Sequence, residues 1–110
     1  MNLKDIYWIA GILEGEGSFG KNNTTVYITL GMTDKDVVDK FHTLVKFGSR
    51  NEFRHNEPNR KVLYRWTGAG RDAAALMMTI YTLMGTRRQA RILEHPTFWK
   101  SKKLRKVRRC

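Results

Sequence analysis

The sequence contains no apolar run approaching the ~20 residues that a membrane-spanning helix needs. Its first residues, Met1 to Asp5, lack the charged and then apolar regions of a signal peptide. Cysteine occurs once, as Cys110, which excludes an intrachain disulfide and a cysteine metal cluster. A reducing, intracellular setting is therefore expected, in an organelle or in a bacterial or phage-infected cell. Acidic residues are also scarce. Ten Asp and Glu stand against twenty-one Lys and Arg, a formal net charge of +11. That excess calls for a polyanionic partner, either nucleic acid or an anionic membrane surface. The missing apolar run leaves the membrane reading little support, and no small-molecule substrate is expected. The three histidines form no site: His42 falls within a helical pattern, His55 beside a turn and His95 before Pro96. His55-Asn56 alone is too little for a His-Asn-His nuclease, and no Ser or Thr has a His and an acid at the spacing of a nucleophilic triad.

What is present fits one folded domain of 110 residues, 41% hydrophobic and 28% charged. So short a chain buries a modest fraction of its surface, and a partner covering more apolar area would help it. Leu3, Ile6, Tyr7, Ala10 and Leu13 recur at helical spacing, with Ile9 and Ile12 widening the stripe, so a helix is expected over 3 to 14. It is apolar on most sides, which predicts burial, and Gly15 and Gly17 are expected to stop it. Residues 18 to 32 read as two strands. In the second, Val26, Ile28 and Leu30 alternate with Thr25, Tyr27 and Thr29, and Asn22-Asn23 supplies a turn before it. Thr33 is a candidate N-cap for a helix from Asp34 to about Lys46, with Asp34 and Asp36 in the first turn, where the helix dipole favours acids. Gly48 ends that helix. Residues 49 to 55 and 60 to 67 read as a second pair of strands, joined by the polar loop Asn56-Glu57-Pro58-Asn59. A third helix is expected from about Arg71 to Met84, and a short one from Arg87 to Glu94, stopped by Pro96. The chain divides into a domain over 1–98 and a basic tail over 99–110.

The end of the first helix is chemically distinctive. Gly11 and Gly15 are four apart, with Ala10 beside them, which puts small residues where a second helix backbone could come close. Glycine inside a helix costs about 1 kcal/mol relative to alanine. The bland explanation is tight packing of the helix on its own sheet. Glu14 and Glu16 follow, at the end of the helix that the macrodipole makes unfavourable for a carboxylate. A divalent cation would compensate, and Mg²⁺ needs few carboxylates beside waters and phosphate oxygens. If two chains paired through this helix, both copies of Glu16 would converge near the dyad, as metal-assisted phosphodiester hydrolysis requires. Taken alone, an E-x-E pair is more often simply solvated.

Ile9-Ala10-Gly11-Ile12-Leu13-Glu14-Gly15-Glu16-Gly17, with Ser18-Phe19 after it, resembles the signature of the LAGLIDADG homing endonucleases. The element order helix-strand-strand-helix-strand-strand-helix is similar to the family core. So are Thr33-Asp34-Lys35-Asp36 after the second strand and Tyr64-Arg65-Trp66 in the fourth. The resemblance implies an α+β fold, αββαββα, whose four-stranded antiparallel sheet lies along the major groove of double-stranded DNA. It implies a homodimer of the single-motif type, with Trp8, Ala10, Gly11, Ile12, Glu14 and Gly15 at the dimer contact. It implies that Glu16 and the carbonyl of Gly15 hold Mg²⁺, for which Mn²⁺ or Ca²⁺ could substitute in binding. Cleavage of both strands of a long, nearly palindromic site would follow, in the manner of a mobile element of an intron, an intein or a phage. Both acids of the motif are Glu where the family name has Asp. A basic residue near the end of the third helix usually assists the active site. Thr86-Arg87-Arg88 spans that place, and Arg87 is taken for the role. Asp34 falls where some members place a polar group that organises active-site water, though a helix first-turn acid would also stand there.

Strand alternation then nominates the residues that meet DNA. Ser18, Gly20 and Asn22 continue the surface in the first strand, and Thr25, Tyr27 and Thr29 form it in the second. Lys61 and Arg65 lie opposite the Val62, Tyr64, Trp66 face in the fourth. The third strand is ambiguous: Arg50, Glu52 and Arg54 share one face, Asn51, Phe53 and His55 the other. The charged face is assigned to DNA, because Phe53 is the better core residue. Arg88 is expected to add a further DNA contact, and arginine to guanine is the most common specific base contact. Residues 100 to 110 hold seven basic residues and no acid; removing seven from +11 leaves +4. They are either a solvated tail or a phosphate-binding arm adding non-specific affinity. Two other functions share these features. One is a non-cleaving DNA- or RNA-binding protein of the same fold, a regulator or intron maturase, against which Glu16 speaks. The other is a basic RNA-binding module, against which the few exposed aromatics speak.

Overall fold

The computed structural model describes residues 2–22, 25–54 and 59–93, with nothing described for the side chain of Asn22. The expected turn at Asn22-Asn23, most of the loop Asn56 to Asn59, His55, His95, the stop at Pro96, the tail over 99–110 and Cys110 lie wholly or partly outside them. The described residues form an α+β structure of four helices and one four-stranded antiparallel sheet. The elements are α1 (Leu3–Glu16), β1 (Gly17–Asn22), β2 (Thr25–Met32), α2 (Lys35–Val45), β3 (Ser49–Phe53), β4 (Leu63–Ala69), α3 (Gly70–Ile80) and α4 (Thr86–Leu93), with a single 3-10 turn at Tyr81–Leu83 between the last two. The sheet order is β1-β2-β4-β3. The two central strands carry the strictest alternation, and the two shorter ones are the edges.

Asn2 caps α1: its side chain accepts the Asp5 amide at 2.8 Å, satisfying one of the first-turn donors. The helix does not stop at Gly15, as expected, but runs through it to Glu16. Gly17 ends it, donating its N–H to the Leu13 carbonyl. A Cβ on Gly17 would lie 2.9 Å or less from Leu13 atoms, so the tight passage from helix to β1 requires glycine there. Thr33 is not the N-cap of α2. Asp34 holds that position with an extended backbone (φ −88°, ψ 95°), which keeps it out of the helix and leaves Asp36 as the first-turn acid. The loop after α2 turns through Lys46 (φ 63°) and Gly48 (φ 87°), the second of which suits only glycine well. The third helix ends at Ile80, short of the expected Met84, where the 3-10 turn tightens the chain.

The helices pack on one face of the sheet. Ile9, Leu13, Phe19, Ile28, Leu30, Val38, Phe41, Trp66, Met77 and Ile80 are fully buried there. Each such side chain stabilises the fold by about 1.5–3 kcal/mol relative to exposure. Trp66 joins the layers. It meets the rings of Phe41 and Phe47 edge-on, at 4.7 and 5.4 Å between centroids, and its Nε1 donates to the Phe47 carbonyl at 2.9 Å.

The register corrects the reading of β3. Arg50 pairs with Trp66 and Glu52 with Tyr64, so both point to the helix-covered side, while Asn51 and Phe53 pair with Arg65 and Leu63 on the other. Arg50 is half-buried, with its Nε 2.7 Å from Asp39 of α2 and its guanidinium over the Tyr64 ring. Phe53 is 43% exposed. Hydrophobicity misleads here because an edge strand at the rim of a core can cover its inner face with an arginine stem and an ion pair as well as with a phenylalanine. Arg54 lies just past β3, with its Nη2 3.3 Å from Glu52. Arg50 therefore does not lie on the uncovered sheet face to which it was assigned. Lys61 precedes β4 and is exposed.

Candidate functional site

The uncovered face of the sheet is ordered in rows that the register fixes. Ser18 of β1, Thr29 of β2, Thr67 of β4 and Ser49 of β3 form a row of four hydroxyls across every strand. On one side of it runs Gly20–Tyr27–Ala69, where the Tyr27 ring takes the space a Cβ on Gly20 would need. On the other side runs Gly31–Arg65–Asn51, with the Arg65 guanidinium 4.8 Å from the centre of the Phe53 ring. Thr25 stands at the β1–β2 end of the same face, with Asn22 as its backbone register partner. Of the expected contact residues, Ser18, Gly20, Thr25, Tyr27, Thr29 and Arg65 share this surface, and the side chain of Asn22 is not among those described. Ser49, Asn51, Phe53 and Thr67 belong to it as well and were missed. Thr67 was legible, being two residues beyond Arg65. The β3 residues were not, since their face followed from the wrong choice of core residue.

Glu16 is exposed at the C-terminal end of α1, beside the edge strand β1. Gly15 is exposed one residue earlier. Neither Gly11 nor Gly15 has a heavy atom within 4 Å of where a Cβ would stand. Among the described residues no close approach accounts for these glycines, so packing on the described sheet does not explain them. Leu3 (62% exposed), Tyr7 (54%), Gly11 and Gly15 follow one another at four-residue spacing, an uncovered stripe on α1. Trp8 and Ile12 flank it, half-buried, with the Lys40 ammonium over the Trp8 ring at 4.3 Å. Ala10 is not part of this stripe: it is 4% exposed and packs into the chain's own core. Glu14 is half-buried, and its carboxylate accepts the Gly85 amide at 3.2 Å.

Two arginines of α4 grip β1. Arg88 donates from Nη1 to the Gly17 carbonyl and lies over the Phe19 ring, and Arg91 donates from Nε to the Phe19 carbonyl at 3.1 Å. An edge strand leaves alternate carbonyls without a sheet partner, and these two, at Gly17 and Phe19, are met by side chains one helical turn apart. Ser18, Phe19, Arg87, Arg88 and Arg91 line the cleft between the two elements. Arg87 is exposed on α4, so of the two neighbouring arginines Arg88 is the one engaged at the α1–β1 junction. Arg91 was missed by sequence reasoning; its signal was the three-residue spacing from Arg88. Asp34 stands apart from this cluster, exposed at the cap of α2 and four residues past Leu30, the register partner of Gly17.

On the opposite flank two charged groups shift each other's titration. The Lys35 ammonium holds the Asp39 carboxyl below its ordinary value through a 2.8 Å hydrogen bond, with Arg50 adding to the effect, and Asp39 in turn raises Lys35. Among the described residues no three His, Cys, Asp or Glu side chains gather to hold a metal ion. At the α1–β1 junction the described residues thus present an exposed carboxylate, Glu16, with a neighbouring backbone carbonyl. Mg²⁺ takes one or two carboxylates and fills its other positions with water and phosphate oxygens, so this donor set is compatible with it. No described helix is long and apolar enough to cross a membrane. No protein-family model matches the chain, and no curated protein matches it.

Proposed function

We propose that the chain is one subunit of a homodimeric, metal-dependent endonuclease of the LAGLIDADG homing type, which cuts both strands of a long, nearly palindromic DNA site. The observation that carries the reading is the exposed Glu16, at the end of a core helix whose exposed glycine stripe no described residue occupies, next to a polar sheet face that no described helix covers. In a pair of chains joined along Leu3, Tyr7, Gly11 and Gly15, the two Glu16 carboxylates would come to lie near the twofold axis. Each would hold a Mg²⁺ ion together with the Gly15 carbonyl of its own chain. Such an ion would supply Lewis-acid stabilisation of the phosphate's negative charge for hydrolysis of the phosphodiester. The chain's own part is to hold the carboxylate at the junction and to place the duplex against it.

The sheet face supplies the placement. Ser18, Thr29, Thr67 and Ser49 are short hydroxyl groups that donate or accept to either kind of base edge. Arg65 and Asn51 offer forked and amide groups that suit guanine and adenine respectively. Stacking on Phe53 restricts Arg65 before DNA arrives, so less side-chain freedom is lost on contact. The +11 charge supplies phosphate attraction that is independent of sequence.

The test is purified protein with Mg²⁺ and a library of duplex targets. Specific double-strand cuts are expected from the natural chain, and Glu16→Gln is expected to abolish them. Loss of an outer-shell partner of a metal ligand costs about 10–100-fold, so loss of the ligand itself should cost more. Specific binding without cutting in any divalent metal would replace this reading with that of a non-cleaving DNA-binding protein.

A further inference from the structure

We infer that Arg88 is a positioning residue for Glu16: it clamps the backbone immediately after the acid and supplies the cation that the end of α1 lacks. This rests on the endonuclease reading of Glu16. Three observations support it. First, Arg88 donates to the carbonyl of Gly17, the residue that follows Glu16 and caps α1. On the other side of Glu16, Glu14 accepts from the amide of Gly85, three residues before Arg88. The segment from Glu14 to Gly17 is thus fastened at both ends to one short stretch of chain, leaving the Glu16 side chain as the exposed group between two fixed points.

Second, the last turn of α1 contains no basic residue. Its C-terminal carbonyls carry partial negative charge, and Glu14 and Glu16 add to it. Arg88, entering from α4, is the cation at that terminus. Third, the Arg88 Nε is buried and has no hydrogen-bond partner among the described residues. A strand clasp alone would not need this. Arg91 makes the neighbouring clasp through its Nε, directly to a carbonyl. A half-buried guanidinium with a donor left over is unfavourable in isolation, and the partial negative charge of the carbonyls at the end of α1, where its Nη1 bonds, offsets part of that cost.

A positioning role differs measurably from that of a phosphate-binding arginine. A phosphate contact acts on affinity and on its salt dependence. A positioning contact acts on the rate of the bound complex and on the metal demand. The experiment uses the full chain, the duplex cut by the natural protein, and the variants Arg88→Ala and Arg88→Lys. Single-turnover cleavage at saturating protein is expected to fall about 10–100-fold in Arg88→Ala, the range found for groups that orient a metal ligand. The Mg²⁺ concentration for half-maximal rate is expected to rise. Affinity for the same duplex in Ca²⁺, and its salt slope, are expected to stay at the natural level. Arg88→Lys keeps the charge and stem but loses the planar fork. It is expected to recover part of the rate, and it serves as the test if Arg88→Ala does not fold. A folded variant that cuts at the natural rate, or one that loses rate only as it loses affinity, overturns the inference. A natural protein that cuts no duplex overturns the endonuclease reading itself and this inference with it, and that outcome is visible before any variant is made.

Discussion

Trp66 shows how one residue ties the sheet to the helices. It is fully buried, meets two aromatic rings edge-on and uses its one polar atom on the Phe47 carbonyl. Trp66→Ala is expected to destabilise the fold by about 3–5 kcal/mol, and Trp66→Phe by about 1–3 kcal/mol through the carbonyl left unpaired, both read from urea melts. The exposed pair Lys35–Asp39 makes a pH prediction with two signs. Asp39 is depressed, so its contribution is present above its ordinary value of 3.8 and lost as pH falls through its lower folded value. Lys35 is raised, so its contribution is present below 10.5 and lost as pH rises through its folded value. Asp39→Asn should flatten both ends of the stability profile, each by a small amount because the pair is solvated. A melt series whose acid limb is unchanged by Asp39→Asn would contradict this. At this scale the sequence was uneven. Glu14 and Glu16 could be noticed together, because carboxylates at the end of an apolar helix are chemically out of place, while the preference for Glu16 came from the resemblance. The engagements of Glu14 with Gly85 and of Arg88 with Gly17 span 71 residues and follow no local pattern.

At the scale of elements, the helices and central strands were legible because burial imposes the periods 3.6 and 2 on their apolar residues. In β2, the alternation of Val26, Ile28 and Leu30 with Thr25, Tyr27 and Thr29 identified the two faces correctly, and Phe19 of β1 pairs with Ile28 in that register. β3 was misread because an edge strand has only a partly covered inner face, which Arg50 fills by pairing with Asp39. The stop at Gly15 was misread for a related reason. Glycine is tolerated inside a helix at a cost, and here the helix continues one residue past it. The glycines of α1 make the element's prediction. In a lone chain, Gly11→Ala meets open space and should stabilise the helix by about 0.5–1 kcal/mol. If that stripe is the contact between two chains, the same change should weaken the dimer. Sedimentation of Gly11→Ala should therefore show more monomer than the natural chain while its helix content holds. A natural chain that sediments as a monomer at micromolar concentration, both free and on DNA, would refute the role given to the stripe.

At the scale of the whole molecule, charge and shape divide the work. The sheet face bears groups suited to reading base edges, while a third of the basic residues lie in the last eleven positions, seven of twenty-one. Deleting residues 100 to 110 is expected to weaken binding to all duplexes alike. The slope of log affinity against log salt should fall by up to about 0.9 for each phosphate that the shortened chain no longer neutralises. Arg65→Ala should instead relax preference at one base pair, at a cost of about 1–3 kcal/mol. Deletion of the tail that changed the preferred sequence would contradict this division. On the proposed reading each chain contributes one metal-holding acid, Glu16, so two chains would be needed to cut two strands. The most direct test mixes natural and Glu16→Gln chains on a cleavable duplex in Mg²⁺. The natural dimer is expected to cut both strands, the mixed dimer to nick one, and the doubly substituted dimer to bind without cutting. Double-strand cleavage by the doubly substituted dimer at the natural rate would contradict the account.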